Sequence, residues 1–127
     1  MNIKEKTALI TGGAHRVGKA ITLALAQAGA RVVVHYHTSA HEAEETARQV
    51  RATGAQAIIV QADVSDWDQV QAMAAEVHAQ LGPVDILVNS ASRFEQTPIP
   101  TDDVAAWHRV TELLVNGPFY CANVFAP

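Results

Sequence analysis

Short apolar runs alternate with longer amphipathic stretches along the whole chain. The runs Thr7–Ile10, Arg31–His35, Ala57–Gln61 and Val84–Asn89 are too short for helices. They are also continuously apolar rather than alternating, as strands buried on both faces of a sheet must be. Between them the period changes. Val17, Ile21 and Leu25 recur at helical spacing after Gly18 opens the first helix, and Gly29 ends it. A second helix is predicted from Ala40 to Thr53, with Glu42, Glu44 and Glu45 early and Arg48 and Arg51 late, the order a helix dipole favours. A third follows Ser65, a suitable N-cap, turns Val70, Ala74, Val77 and Leu81 inward, and stops at Gly82-Pro83. After a loop with Pro98 and Pro100, a fourth begins near Thr101-Asp102-Asp103 and includes Trp107.

Strand–helix alternation with short connections implies βαβ units, right-handed crossovers and a parallel sheet. The expected fold is a doubly wound α/β domain, with ligand at the carboxyl ends of the strands. The 127 residues suffice for a single domain, and no linker or internal repeat divides them. A formal charge of -4 without any basic run argues against nucleic acid or an anionic membrane as partner. No apolar stretch approaches the ~20 residues of a membrane span. Residues 1–6 lack a secretory core. The single Cys121 excludes an internal disulfide, so a cytoplasmic location is expected. The histidines do not pair with Cys121 at zinc-ligand spacing, and no metal site is expected.

The first connection, Thr11-Gly12-Gly13-Ala14-His15-Arg16-Val17-Gly18, is a glycine-rich turn feeding a helix N-terminus. Such a turn brings backbone N–H groups and the positive end of a helix dipole to an anion, with no Cβ atoms in the way. The second strand selects the nucleotide. A binder of unphosphorylated ribose ends this strand with an acid, but here it reads His35-Tyr36-His37-Thr38-Ser39. Hydroxyl and imidazole groups can donate to a 2′-phosphate, and Arg16 can add a charge-assisted bond, so NADP(H) is expected over NAD. Past the third strand, Asp63-Val64 offers a carboxylate that either accepts from an adenine amino group or caps the next turn. The fourth strand ends Asn89-Ser90-Ala91-Ser92. Its small residues allow backbone against ribose and nicotinamide, and Asn89 either joins that wall or braces neighbouring backbone.

Together these residues resemble the short-chain dehydrogenase/reductase family, along the whole chain. That family has a Thr-Gly-x-x-x-Gly-x-Gly turn, an Asp after strand three and Asn-Asn-Ala-Gly after strand four. Within it the chain looks most like the pteridine reductases, through Arg16, the His35, Tyr36, His37 and Ser39 strand end, Gln61-Ala62-Asp63, and Asn89 to Phe94 followed by Thr97-Pro98. The resemblance implies a Rossmann-type fold, a three-layer sandwich with strand order 3-2-1-4 in this half. It implies NADP(H) contacts from Gly12, His15, Arg16, Val17, Gly18, His35, Tyr36, His37, Ser39, Asp63, Val64, Asn89, Ala91 and Ser92. Phe94 would stack on a pterin ring or serve as packing. Ser90 replaces the second Asn of the pair, and Leu114 falls where the family carries a proton-relay Asn, with Asn116 nearby.

The family's proton donor is a tyrosine in Tyr-x-x-x-Lys, working with a serine. Here Tyr36 and Tyr120 are followed at that spacing by Ala40 and Val124, and the lysines are Lys4, Lys6 and Lys19. No catalytic residue is therefore assigned, and the chain is expected to be the cofactor-binding half, ending before the catalytic segments. The expected substrate of the full-length enzyme is a small pterin or carbonyl compound. The chain alone is expected to self-associate or to lack its carboxyl-terminal half. Two alternatives are a non-catalytic dinucleotide- or partner-binding module and a receiver-like α/β module. Receivers need an acidic cluster at the strand ends, where this chain offers only Asp63.

Overall fold

The computed structural model describes residues 2–93, 95–97, 99–102 and 104–126. The elements run β1 (Thr7–Thr11), α1 (Arg16–Gln27), β2 (Arg31–Tyr36), α2 (Ala40–Ala52), β3 (Ala57–Gln61), α3 (Trp67–Leu81) and β4 (Ile86–Asn89). Then come α4 (Val104–Thr111), a π-helical turn (Glu112–Asn116) and α5 (Gly117–Phe125). The strands pair in parallel in the order β3-β2-β1-β4, as a doubly wound, Rossmann-type half requires.

Successive strand residues point to opposite faces, and each face has its own core. Leu9, Val33 and Val60 pack with Val70, Met73 and Val77 of α3 and with Cys121 and Phe125 of α5. Ile10, Val32 and Val34 pack on the other side with Ala26 of α1 and Ala43, Ala47 and Val50 of α2. Helices on both faces are why the strands read as unbroken apolar runs. Trp67 and Tyr120, with ring centroids 5.3 Å apart, join the start of α3 to α5.

Helix α1 departs from the expected pattern. Its buried stripe is Gly18, Thr22 and Ala26, whereas Val17 is 69% exposed and Ile21 and Leu25 are only half-buried. The helix lies so close to the first turn that small residues, not large ones, must face inward. It also starts at Arg16, two residues ahead of the expected Gly18. The cap of α3 is Asp66 rather than Ser65: its carboxylate accepts from the backbone N–H groups of Asp68 and Gln69 at 3.0 and 3.3 Å. Ser65 instead donates its hydroxyl to Asp63 Oδ1 at 2.6 Å.

The π-helical turn has a covalent cause. Pro118 sits in the first turn of α5 and has no N–H to donate to the carbonyl four residues back, at Leu114. The chain absorbs the missing bond and the ring's bulk by widening one turn.

Strand β4 is the edge next to β1, and Ile86, Leu87 and Val88 are only half-buried. A shallow cleft of about 230 Å³ runs beside it, lined partly by Val84, Leu87, Ala122 and Phe125. An apolar parallel strand at an edge is a template for further pairing. Light scattering of the purified chain is expected to show association that grows with concentration. A clean monomer at high concentration would contradict that expectation.

Candidate functional site

The glycine-rich turn joins β1 to α1 at the carboxyl end of the sheet. Gly12 has φ +62°, and a Cβ there would lie 2.8 Å from Ala91 Cα. A Cβ on Gly18 would fall 2.0 Å from the Gly12 carbonyl oxygen, so α1 and the turn meet backbone to backbone. Arg16 has φ +56°, the left-handed region that favours glycine. An arginine therefore occupies a glycine conformation at the first turn of α1. That helix start has no side-chain cap bond and no acid in its first turn, which leaves its positive dipole end unopposed.

Threonine hydroxyls hold the turn in shape. Thr11 Oγ1 accepts from the N–H groups of Ser90 and Ala91 at 3.0 and 3.1 Å, tying the turn to the segment after β4. Thr22 donates to the Gly18 and Gly13 carbonyls at 2.8 and 3.2 Å, and Thr46 of α2 donates to the Ala14 carbonyl at 2.6 Å. His35 is 2% exposed: its Nδ1 accepts from the Gly12 N–H at 2.9 Å and its Nε2 lies 2.7 Å from the Ala62 carbonyl oxygen.

Beside the turn, at the strand ends, opens a cleft of about 460 Å³. It brings together His15, His35, His37, Ser39, Asp63, Val64, Ala91 and Ser92 of the expected set, and adds Thr38, Ala62, Arg93 and Leu113. Partial burial pushes the Asp63 carboxyl up, but bonds from the Ser65 hydroxyl and N–H, with His37 and Arg93 nearby, hold it below its ordinary range. Asp63 thus does the turn-capping work the sequence left open, while facing the cleft. Arg93 pairs with Glu95 at 2.9 Å, and Glu95 also takes a two-pronged bond from Arg109 of α4. Arg109 above all, and Arg93 with it, keeps the Glu95 carboxyl below its usual value.

Of the expected contact residues, Gly12, Arg16, Val17, Gly18, Tyr36 and Asn89 do not line the cleft. Tyr36 packs against the α1/α2 core, because it shares the face of Val34 rather than that of His35. Asn89 ends β4 opposite Thr11 in the register and is exposed. His35 serves beneath the turn rather than as a phosphate donor, since both ring nitrogens are engaged. Phe94 lies outside the described residues. Leu114 lies in the π-helical turn, 46% exposed, and Asn116 at its end is half-buried. Thr11 opens the sequence motif, but its bracing role and those of Thr22 and Thr46 are visible only in the structure. Their signal was a hydroxyl at positions otherwise reserved for apolar side chains. Among the described residues no group of three or more acidic, histidine or cysteine side chains is placed to hold a metal ion. Nor is any helix long and apolar enough to cross a membrane.

A sheet of this order with a glycine turn at its carboxyl end defines a dinucleotide-binding architecture. The profile described as short chain dehydrogenase matches residues 6–127, so the chain belongs to the short-chain dehydrogenase/reductase family. It is 46% identical over 106 residues to a short-chain dehydrogenase/reductase homolog, YusS, of Bacillus subtilis (strain 168), covering 84% of this chain and 95% of that one. It is 34% identical over 122 residues to the 3-oxoacyl-[acyl-carrier-protein] reductase FabG of Staphylococcus aureus (strain Mu50), covering 96% of this chain and 50% of that protein. Among solved structures, a blue fluorescent protein from a metagenomic library, in complex with NADPH, superposes with a TM-score of 0.91 at 31% identity, over 99% of this chain and 52% of that one. A short-chain type dehydrogenase/reductase from Mycobacterium marinum gives 0.92 at 30% identity, over 98% and 50%. The chain thus spans about half the length of these two solved structures.

Two substitutions probe the turn. Gly18→Ala is expected to lower stability by about 1–3 kcal/mol or more, because the added methyl meets backbone that cannot yield. Thr11→Val is expected to cost about 1–3 kcal/mol by stranding two amides. Urea unfolding at constant m-value measures both.

Proposed function

We propose that this chain forms the NADP(H)-binding part of a short-chain oxidoreductase acting on a small pterin or carbonyl substrate. The observation that carries the reading is the turn itself: glycines at 12 and 18 let it close backbone to backbone against α1 and the segment after β4, at an uncapped helix start bearing Arg16. A pyrophosphate at that helix start would receive its free N–H groups and the positive end of its dipole. The nicotinamide, when bound, supplies or accepts a hydride.

The preference for the 2′-phosphorylated cofactor rests on what lines the far side of the cleft. Past β2 stand His37, Thr38 and Ser39, where a carboxylate would repel phosphate. Arg93 adds positive charge at the rim, shared with Glu95, and Arg16 adds its charge at the adjoining start of α1. Asp63, Ala91 and Ser92 form the adenine and ribose side. Pterin specificity is supported by the likeness of the strand ends to pteridine reductases, including Phe94. Turnover is assigned to the full enzyme, because this sequence contains no Tyr-x-x-x-Lys pair to donate the proton. The reading takes the full enzyme to be cytoplasmic, supported by a single cysteine that forms no disulfide, and self-associating, supported by the half-buried apolar edge strand β4.

Calorimetry or fluorescence with NADPH and NADH tests this reading. Saturable NADPH binding stronger than NADH binding is expected. Arg16→Ala should weaken NADPH about 10- to 100-fold, as loss of a charged hydrogen bond does, and leave NADH nearly unchanged. Equal affinity for the two nucleotides, or no effect of the substitution, would sink the phosphate assignment.

A further inference from the structure

Burying an imidazole at the end of an apolar strand costs free energy unless both nitrogens find partners. His35 has both partners, and they dictate its chemistry. A carbonyl oxygen only accepts, so Nε2, 2.7 Å from the Ala62 oxygen, carries the proton. Nδ1 is then a bare lone pair, which accepts the Gly12 N–H at 2.9 Å. The same residue's backbone carbonyl accepts the Gly13 N–H at 3.2 Å. One residue therefore fixes two successive amides of a turn that has no side chain of its own at Gly12 and Gly13. It also links that turn to the end of β3, next to Asp63.

We infer that His35 is the positioning residue of the nucleotide cradle, and that only its neutral, Nε2-protonated form sets the glycine turn. Adding a proton at Nδ1 removes the acceptor and aims one N–H at another, which releases Gly12. The inference rests on the proposed nucleotide site, since it assigns pH sensitivity to that site's affinity.

The groups facing His35 are His37, from the end of β2, and Asp63, from the segment after β3. His15 on the turn and Arg93 beyond β4 line the same cleft. Burial is the main influence and pushes the His35 pKa down. The bond to Ala62 opposes it, His37 adds to it, and Asp63 opposes it. A histidine whose folded value is depressed stabilises the fold above its unfolded pKa of about 6.5, and that stability drains away as pH falls toward the folded value. The cradle is therefore set at neutral pH and loosened in acid.

Nitrogen-15 NMR of the full chain, following the His35 ring nitrogens and the Gly12 amide from about pH 8 to about pH 5, tests this directly. NADP+ calorimetry over the same range completes the test. In His35→Asn, the amide oxygen occupies the place of Nδ1 and keeps an acceptor for Gly12, but cannot titrate. The wild type is expected to hold the Nε2-protonated form at neutral pH, and the Gly12 amide should shift with the His35 midpoint. NADP+ affinity should fall about tenfold through that midpoint, equivalent to losing one hydrogen bond. In His35→Asn the Gly12 shift should vanish, and the slope of affinity with pH should shrink to what the cofactor phosphate and the rest of the cleft contribute. A Gly12 amide that titrates unchanged in the variant, or identical slopes in both proteins, would overturn the inference. If the variant does not fold, coincidence of the two wild-type midpoints supports the inference and their separation overturns it. Absent NADP+ binding with Gly12 still following His35 would refute the nucleotide site and leave the positioning role standing.

Discussion

The contact between Gly18 and the Gly12 carbonyl sets the arrangement around it. Because no Cβ intervenes, α1 rests directly on the turn that leads into it. That closeness forces the small stripe Gly18, Thr22 and Ala26 inward. It turns Val17 out to solvent and places the helix start, with its dipole, at the carboxyl end of the sheet. The threonine bonds and the His35 strut then have a fixed object to hold. Without the close approach, the turn would have room for many shapes and the strand ends no common focus.

The strands, their parallel order and the glycine turn were legible in the sequence because each rests on a local rule. Apolar runs bounded by turn residues identify buried strands, and alternation with helices implies crossovers. The inner face of α1 was not legible. Periodicity picks out the largest apolar residues, whereas the contact selected the smallest. The choice between Ser65 and Asp66 as cap turned on a single residue of helix start. Asp63 was already holding Ser65, so the next residue took the cap. His35 and Tyr36 were both read as nucleotide ligands from a pattern. Only the pleat shows one beneath the turn and the other in the α1/α2 core.

The two sides of the cleft differ in how firmly they are built. Buried hydroxyls and an imidazole brace the turn side, in low-dielectric surroundings where each unmet polar group is costly. The side beyond β4 leans on exposed charge: Glu95 is shared by Arg93 and Arg109 across the segment between β4 and α4. Exposed ion pairs of this sort are individually weak and screened by salt. The glycine turn is thus the firm part of the cleft's surroundings, and the charged rim is the adjustable one.

Arg16 carries a consequence of another kind. A left-handed backbone costs a residue with a Cβ about 1–2 kcal/mol that glycine does not incur. The chain holds this tension in the folded state at the start of α1. Glycine there would relax the backbone and give up the guanidinium in the same step, so under the proposed phosphate role fold stability and anion affinity pull against each other at this position. A sequence selected only for a stable fold would drift toward glycine here, so a retained arginine would record selection for an anionic ligand.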